Sequence, residues 1–219
     1  FTVTPELAFR LTDPGVRVAD FNGDEVPDII RTRAFQVEVL PGLGYGRFAP
    51  MVVVAIPDST LSSGRMSSAE YEDITGDGLA DLAYTSYGTG RMAYWVNLGN
   101  YTLSERRWVN DMPVAIGGAP GRAWGDINGN GTTDMIFADQ FSESRLQAVD
   151  IGEVIDCVPH PNMLVKIDNG LGATTALEYS TTSQVHLEDA ADERAWMEPF
   201  PLNFEVIDRA TTVDCFGIE

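Results

Sequence analysis

The amino-acid sequence predicts an all-β protein built from three blades of an incomplete β-propeller. An aspartate-rich motif occurs three times, and its leading aspartates Asp20, Asp73 and Asp126 stand 53 residues apart, a period typical of propeller blades. Short apolar runs bounded by Gly, Asn and Asp flank each copy, as expected of strands joined by tight turns. A closed propeller needs at least four blades, so three repeats leave it incomplete.

The composition indicates a folded, acidic protein. Of its 219 residues, 44% are hydrophobic, which is enough to build a buried core. The 14 basic and 33 acidic residues give a formal net charge of -19, which argues against nucleic acids and anionic membranes as partners. No apolar run reaches the roughly 18 residues that span a bilayer. Cations and basic protein surfaces are therefore the expected partners.

Each repeat is predicted to begin with a strand, a polar loop and a second strand. An apolar or aromatic residue precedes each leading aspartate by two positions, and an apolar pair follows the loop. The preceding residues are Val18, Tyr71 and Trp124, and the pairs are Ile29 and Ile30, Leu82 and Ala83, and Met135 and Ile136. The third repeat lacks the glycine turn that follows in the first two. Five aromatic residues are predicted to fill the blade core, a role favoured over the alternative of stacking on a sugar or a partner: Tyr45, Phe48, Tyr94, Trp95 and Trp108.

The polar loops place oxygen ligands at positions one, three, five, seven and nine, a pattern that suits Ca²⁺. The first loop offers Asp20, Asn22, Asp24, the carbonyl of Val26, and Asp28. The second loop offers Asp73, Thr75, Asp77, the carbonyl of Leu79, and Asp81. The third loop offers Asp126, Asn128, Asn130, the carbonyl of Thr132, and Asp134. Nitrogen and sulfur ligands are absent from this set, so up to three Ca²⁺ ions are expected rather than zinc or copper.

An EF-hand shares the first half of this spacing but needs a glutamate at position twelve. That position holds Arg31, Tyr84 and Phe137, so the EF-hand interpretation fails in all three loops. The loops are not equal, because the third has one carboxylate fewer and the first has Glu25 where the others have Gly78 and Gly131. The alternative is that some loops are metal-free Asx-turns whose carboxylates cap backbone amides.

The sequence divides into residues 1–155, which carry the three blades, and residues 156–219, a different β-strand segment. Two strands are expected in the second part, joined by a turn at residues 168–172. Their apolar residues are Leu164, Val165 and Ile167, then Ala176, Leu177 and Tyr179. One short helix is expected within HLEDAADERAW, and a last strand near the end is expected to pair beyond Glu219. The two histidines have no nucleophile nearby in sequence, so no catalytic site is predicted.

Seven segments resemble a known family: VADFNGDEVPDII, LPGLGYGRF, DITGDGLADL, WVNLG, DINGNGTTDMI, IDNGLGATTALEY and PFPLNFEVIDRATTVD. The loop motif is shared with FG-GAP repeat proteins generally. The string IDNGLGATT, followed by a tyrosine and a later PFP segment, is more specific. The chain therefore resembles the middle, amino-terminal region of the toxin-complex B component and the related SpvB-type virulence proteins.

This resemblance implies a secreted FG-GAP propeller that docks onto a pore-forming component, followed by strands that begin an RHS-like shell around a toxic effector. It implies no enzymatic activity for this segment. The missing blades would come from flanking sequence of the parent polypeptide or from another chain. The alternative is a free-standing FG-GAP adhesin or lectin-like module, which needs no shell segment after its last blade. A carboxylate-based hydrolase is a third hypothesis.

Overall fold

The computed structural model describes residues 9–86, 88–113, 121–128, 132–138, 146–155, 163–192, 194, 196 and 204–214. They form two compact units, one within Phe1–Trp124 and Met135–Val149, the other within Gly125–Asp134 and Asp150–Glu219. Strands of the described residues make four sheets, which confirms the all-β prediction. In the same part of the chain no helix is long and apolar enough to cross a membrane.

The first repeat forms a four-stranded sheet in which strands consecutive in the chain pair antiparallel. Its strands are β1 (Val16–Ala19), β2 (Asp28–Thr32), β3 (Gln36–Leu40) and β4 (Val52–Ala55). Val37 and Val39 of β3 are fully buried, whereas β4 alternates buried Val54 with exposed Val53. That alternation is typical of a strand with one face in solvent.

The second repeat forms a sheet of the same strand order. After the helix α1 (Ser63–Met66) come β5 (Glu70–Glu72), β6 (Asp81–Ser86), β7 (Arg91–Trp95) and β8 (Arg107–Val109). In both sheets the aspartate-rich loop joins the first strand to the second, so it runs directly into a strand. The glycine turns after β3 and β7 are closed by matching bridges, Gly42 with Phe48 and Asn97 with Leu103.

These two sheets share one hydrophobic core. Its members from both repeats include Phe21, Ile30, Val39, Tyr71, Leu82 and Trp95. The predicted core position is correct for Trp95 and Tyr94, which are buried, and Phe48 packs partly buried beside a smaller cluster. It is wrong for Tyr45, which is 85% exposed at a positive-φ turn position, and for Trp108. Trp108 is 39% exposed because it lies on β8, the edge strand of its sheet. The side chains of Arg91 and Arg106 lie over its ring.

The third repeat contributes a three-stranded sheet of order β11-β10-β9. Its strands are β9 (Gly121–Gly125), β10 (Asp134–Ala138) and β11 (Leu146–Asp150). Where the first two repeats have a glycine turn, this one continues from β11 into the short helix α2 (Ile151–Val154). Asp150 is the N-cap of α2 and accepts a hydrogen bond from the amide of Glu153, so a capped helix follows the third strand where the first two repeats have a glycine turn.

A further antiparallel sheet, of order β12-β13-β14, lies in the second unit. Its elements are β12 (Lys166–Asp168), β13 (Thr174–Thr181), the helix α3 (Thr182–Ala191) and β14 (Glu205–Val213). The predicted hairpin is thereby confirmed. The expectation that the last strand pairs beyond Glu219 is wrong, because β14 pairs with β13 along its length. The α3 helix begins before HLEDAADERAW because Thr181 and Gln184 form a capping box.

Candidate metal-binding loops

The first aspartate loop is wrapped around its leading carboxylate. Asp20 Oδ1 accepts hydrogen bonds from the amides of Gly23 (2.8 Å) and Asp24 (3.3 Å), and its Oδ2 accepts one from the amide of Glu25 (2.7 Å). Asp24 Oδ1 in turn accepts the amide of Val26 at 2.9 Å. Each carboxylate therefore fixes the turn that follows it, as in Asx-turns.

The second loop repeats this pattern 53 residues later. The amide of Asp77 donates to Asp73 Oδ1 (3.0 Å), that of Gly78 to Asp73 Oδ2 (2.8 Å), and that of Leu79 to Asp77 Oδ1 (2.9 Å). Glu25 and Gly78 occupy the same left-handed position, with φ of 65° and 82°. The left-handed conformation is open to glycine without penalty, whereas a non-glycine residue such as Glu25 is strained there.

The closing aspartates of these two loops are fully buried and hold two backbone segments together. Asp28 accepts the amides of Phe21 (3.1 Å) and Gly42 (2.7 Å), the second through Oδ1. Asp81 Oδ2 accepts the amide of Ile74 (3.1 Å), and its Oδ1 accepts that of Asn97 (2.7 Å). Each closing aspartate thus ties the start of its loop to the glycine turn after the next strand.

Burial dominates the ionisation of these side chains. It raises the pKa of Asp81 to about 6, although amide hydrogen bonds partly oppose the shift, and Asp77 and Asp73 add repulsion. Burial also raises the pKa of Asp28 and of Asp73. A bound cation would stabilise the ionised form of each carboxylate against this desolvation.

The third loop differs at its closing aspartate. Asp134 is fully buried, and its Oδ2 accepts the amide of Ile127 at 2.9 Å. Its Oδ1 has no hydrogen-bond partner among the described residues. Burial raises the pKa of Asp134, and the negative charges of Asp150 and Asp126 raise it further. The predicted ligand Asn130 lies outside the described residues.

Asp150 is a functional candidate that the repeat pattern did not single out. Its carboxylate accepts hydrogen bonds from Asn128 Nδ2 (2.8 Å) and from Thr132 Oγ1 (3.4 Å), two residues of the predicted third ligand set. The signal for it in the sequence is its position, 53 residues after Asn97. Asp150 therefore stands at the repeat position of Asn97, whose backbone amide binds Asp81 in the second repeat.

The second repeat also contacts the first loop directly. Asn97, itself fully buried, donates from Nδ2 to the carbonyl of Phe21 at 2.8 Å. The ring of Tyr101 stacks on Phe21 with 6.3 Å between centroids, and Asn22 Nδ2 donates to the Tyr101 hydroxyl at 3.4 Å. The conformation of the first loop therefore depends on a neighbouring repeat as well as on its own carboxylates.

The loops have the chemistry of a hard-cation site, because their side-chain donors are carboxylate, amide and hydroxyl oxygens. A carboxylate offers about four lone pairs, so an oxygen that accepts one amide can still bind a cation. In the part of the chain that is described, no three acidic, His or Cys side chains converge tightly enough to hold a metal ion as they stand. The calcium ligand sets remain a prediction beside the Asx-turn alternative.

The first two repeats form sheets of the same strand order, each with an aspartate-rich loop between its first two strands, so the chain is a β-repeat protein. Residues 73–137 match the family model of the FG-GAP-like repeat. Residues 121–216 match the model described as the insecticide toxin TcdB middle/N-terminal region. The resemblance to the toxin-complex B component is thereby confirmed.

Solved toxin structures share this fold. The Photorhabdus luminescens Tc holotoxin pore, carrying a TccC3 mutation, aligns with a TM-score of 0.75 and 21% identity over 93% of this chain and 9% of that chain. TcdB2–TccC3 without its hypervariable C-terminal region aligns with a TM-score of 0.69 and 21% identity over 93% of this chain and 10% of that chain. TcdB2–TccC3 aligns with a TM-score of 0.69 and 19% identity over 92% of this chain and 10% of that chain. The chain spans about a tenth of the length of these structures. No curated protein matches it.

Proposed function

We propose that this chain is a non-enzymatic scaffold and docking module of a secreted toxin complex, and that its repeats are blades of a calcium-stabilised β-propeller. The observation that carries the proposal is the recurrence of one sheet order with one loop position, in a chain that aligns with Tc toxin structures over 93% of its length. The match of residues 121–216 to a toxin model favours this function over a free-standing adhesin or lectin.

The proposed partner is the pore-forming component of the toxin complex. A net charge of -19 favours a basic surface on that partner. The glycine turns of the first two repeats present large apolar side chains to solvent, namely Leu43, Tyr45 and Leu98. Exposed apolar and aromatic side chains of this kind supply contact area when a protein docks.

The second repeat supports a propeller with further blades. Tyr71, two residues before Asp73, is buried and its hydroxyl hydrogen bonds to Thr32 of the first repeat at 2.7 Å. Val18 holds the same position in the first repeat and is 64% exposed. Another blade, from the parent polypeptide or another chain, would cover Val18 as the first repeat covers Tyr71.

The sheet β12-β13-β14 supports the proposed shell. Its strands are mostly exposed or half-buried, and Ile167 and Ile207 are 45% and 56% exposed. A sheet needs a second layer over at least one face to bury its apolar side chains. Further strands of an RHS-like shell in the parent polypeptide would provide that layer.

Binding to the pore-forming component tests the function. The 219-residue chain is passed over the immobilised component in calcium and again with a chelator, and association is recorded by biolayer interferometry. We expect binding that weakens when calcium is removed. A Tyr45→Ser variant should bind more weakly, and Tyr179→Ser serves as its control outside the glycine turns. Binding to glycans but not to the toxin component would instead support the adhesin.

Light scattering after size-exclusion chromatography tests whether the isolated chain needs further blades. If another blade is needed, the isolated chain should self-associate or elute as an expanded species, because uncovered blade surfaces promote association. A compact, stable monomer would contradict that part of the proposal.

A further inference from the structure

The edge strand of the second sheet carries an exposed tryptophan flanked by two arginines. Trp108 lies on β8, at the end of the strand order, and is 39% exposed. The guanidinium carbon of Arg91 lies 4.7 Å from the centroid of the indole ring, and that of Arg106 lies 5.0 Å from it. Both distances are those of cation–π contacts. The ring is therefore fixed beside two positive charges.

The two arginines reach the ring from opposite ends of β8. Arg106 precedes Trp108 by two residues and donates from Nη1 to Thr60 Oγ1 at 2.9 Å. Arg91, at the start of β7, donates from Nε to Asn110 Oδ1 at 2.8 Å, two residues after Trp108. Both acceptors are neutral oxygens, so they orient the guanidinium groups without neutralising them. A guanidinium group has five N–H donors, so each arginine keeps donors for a ligand.

These arginines concentrate positive charge in a chain whose net charge is -19. Arg107, the first residue of β8, is exposed and adds a third positive charge. In the part of the chain that the structure describes, carboxylates pair with other arginines, namely Arg31, Arg33, Arg122, Arg194 and Arg209. The three arginines at β8 form no such ion pair with a described residue. Their charge is therefore available to an acidic partner.

The blade itself does not require this arrangement. The two four-stranded sheets have the same strand order, but the outer strand of the first one, β4, has the sequence VVVA and no charged residue. Charged side chains on an edge strand oppose its pairing with a second copy, because like charges would face each other. The same charges favour a strand of opposite sign. No described strand pairs with the outer edge of β8, so its backbone groups are open to such a strand.

We propose that β8 binds an extended acidic segment of a partner protein, which adds to the second sheet as a further strand. Main-chain hydrogen bonds to the outer edge of β8 supply affinity, as in other cases of strand addition. Side chains alternate between the two faces of a strand, so every second residue of the segment lies on the face of Trp108. Carboxylates at those positions bind the remaining N–H donors of Arg91 and Arg106. This surface is separate from the glycine turns assigned to the pore-forming component, so either assignment can fail without the other.

Fluorescence anisotropy of a labelled ten-residue peptide in which Glu alternates with Val tests the proposal on the 219-residue chain. The peptide should bind although both molecules are acidic, and its affinity should fall when NaCl is raised from about 50 mM to about 300 mM. R91Q/R106Q should weaken binding at least tenfold. The control R10Q/R65Q removes two charges from exposed positions of the same unit and should change the affinity less than twofold. Absence of binding to the wild type, or equal binding to R91Q/R106Q, would overturn the proposal.

A second peptide separates strand pairing from general attraction between charges. The same Glu–Val sequence with every backbone amide N-methylated keeps its carboxylates but has no main-chain N–H to donate. It should bind at least tenfold more weakly. Equal binding of the two peptides would overturn strand addition. Equally tight binding of an oligothymidylate would do the same, since it would show a general anion site.

A further variant keeps the test independent of a loss of folding. R91Q/R106Q removes contacts with Trp108, whereas R107E changes an exposed side chain of β8. R107E should retain the wild-type Tm within about 2 °C and bind the Glu–Val peptide at least fivefold more weakly. An R107E protein with the wild-type affinity would contradict the positive charge of β8 as the basis of binding.

Discussion

At the scale of single residues, the closing aspartates differ from the other acidic residues of the loops. Asp81 is fully buried and binds amides of two separate segments. Asp77 is exposed and caps only its own turn, at the amide of Leu79. The repeat motif assigns both of them to one ligand set. The structure gives Asp81 a part in the fold whether or not an ion is bound.

We expect D81N to destabilise the chain both with and without calcium. The Asn side chain keeps one acceptor oxygen but places an NH₂ group against an amide N–H, so one buried donor pair is left unsatisfied. Leaving a buried donor unsatisfied makes the expected cost about 1–3 kcal/mol. Urea unfolding followed by tryptophan fluorescence measures it.

The matched variant D77N should behave differently. An Asn oxygen can still accept the amide of Leu79 at this position, so the metal-free stability should change by less than about 0.5 kcal/mol. The stabilisation that calcium adds should fall, because the site loses one negative ligand. If D81N and D77N lost equal amounts of unfolding free energy in chelator, the structural role assigned to Asp81 alone would be contradicted.

Protonation of Asp81 makes the unfolding free energy of the metal-free chain depend on pH. Burial raises its pKa from 3.8 to about 6, so the folded state binds this proton more tightly than the unfolded state. The contribution of Asp81 is therefore largest below about pH 4 and is lost as the pH rises through about 6. In chelator, the free energy of unfolding attributable to Asp81 should increase from pH 7 to pH 4.

The measurement is urea unfolding at several pH values for the wild type and D81N. The difference in unfolding free energy between the two should depend on pH within this window. A constant difference from pH 4 to pH 7 would show that the folded-state pKa of Asp81 is not raised.

At the scale of elements, the sequence predicts features whose residues are close in the chain. Local turn chemistry and apolar patterning predict the loops, the strands beside them and the hairpin whose turn lies at residues 168–172. Asn97 was not predicted as part of a site, because its contact with Phe21 spans 76 residues. Trp108 was misplaced because periodicity does not reveal which strand lies outermost. The pairing of β14 with β13 likewise depends on tertiary register.

We expect N97A to destabilise the first loop, although Asn97 lies in the second repeat. The variant leaves the buried carbonyl of Phe21 without its 2.8 Å donor and keeps the backbone bond to Asp81. The expected cost is about 1–3 kcal/mol. Hydrogen exchange should show faster exchange of the first-loop amides. N110A is the control, since Asn110 bonds an arginine side chain at an exposed position. Faster exchange confined to the second repeat would contradict the coupling.

A G152A substitution tests the seating of α2. The added Cβ would lie within 2.7 Å of Thr132 side-chain atoms, so α2 or Thr132 must shift. We expect a loss of about 1–3 kcal/mol, as for other overpacked sites. G64A in α1 is the control, because its Cβ would meet nothing within 4 Å. Equal stability of the two variants would contradict the close packing.

At the scale of the whole molecule, the net charge of -19 and the loop carboxylates are linked. Like charges destabilise a compact chain, and metal ions bound by the carboxylates would reduce that repulsion. Three Ca²⁺ ions would offset six negative charges. The acidic composition, the oxygen-rich loops and the raised pKa values of Asp28, Asp73 and Asp81 thus all favour a chain whose stability depends on cations.

The metal-free chain should therefore be stabilised by salt. Raising NaCl from about 20 mM to about 300 mM shortens the screening length from about 20 Å to about 6 Å. We expect a gain of about 1 kcal/mol, or roughly 2–4 °C in Tm for a domain of this size. With calcium bound the gain should be smaller, because less charge remains to be screened. Choline chloride should act as sodium chloride does, since screening depends on ionic strength. A Tm that falls with salt, or rises only with sodium, would contradict self-repulsion as the cause.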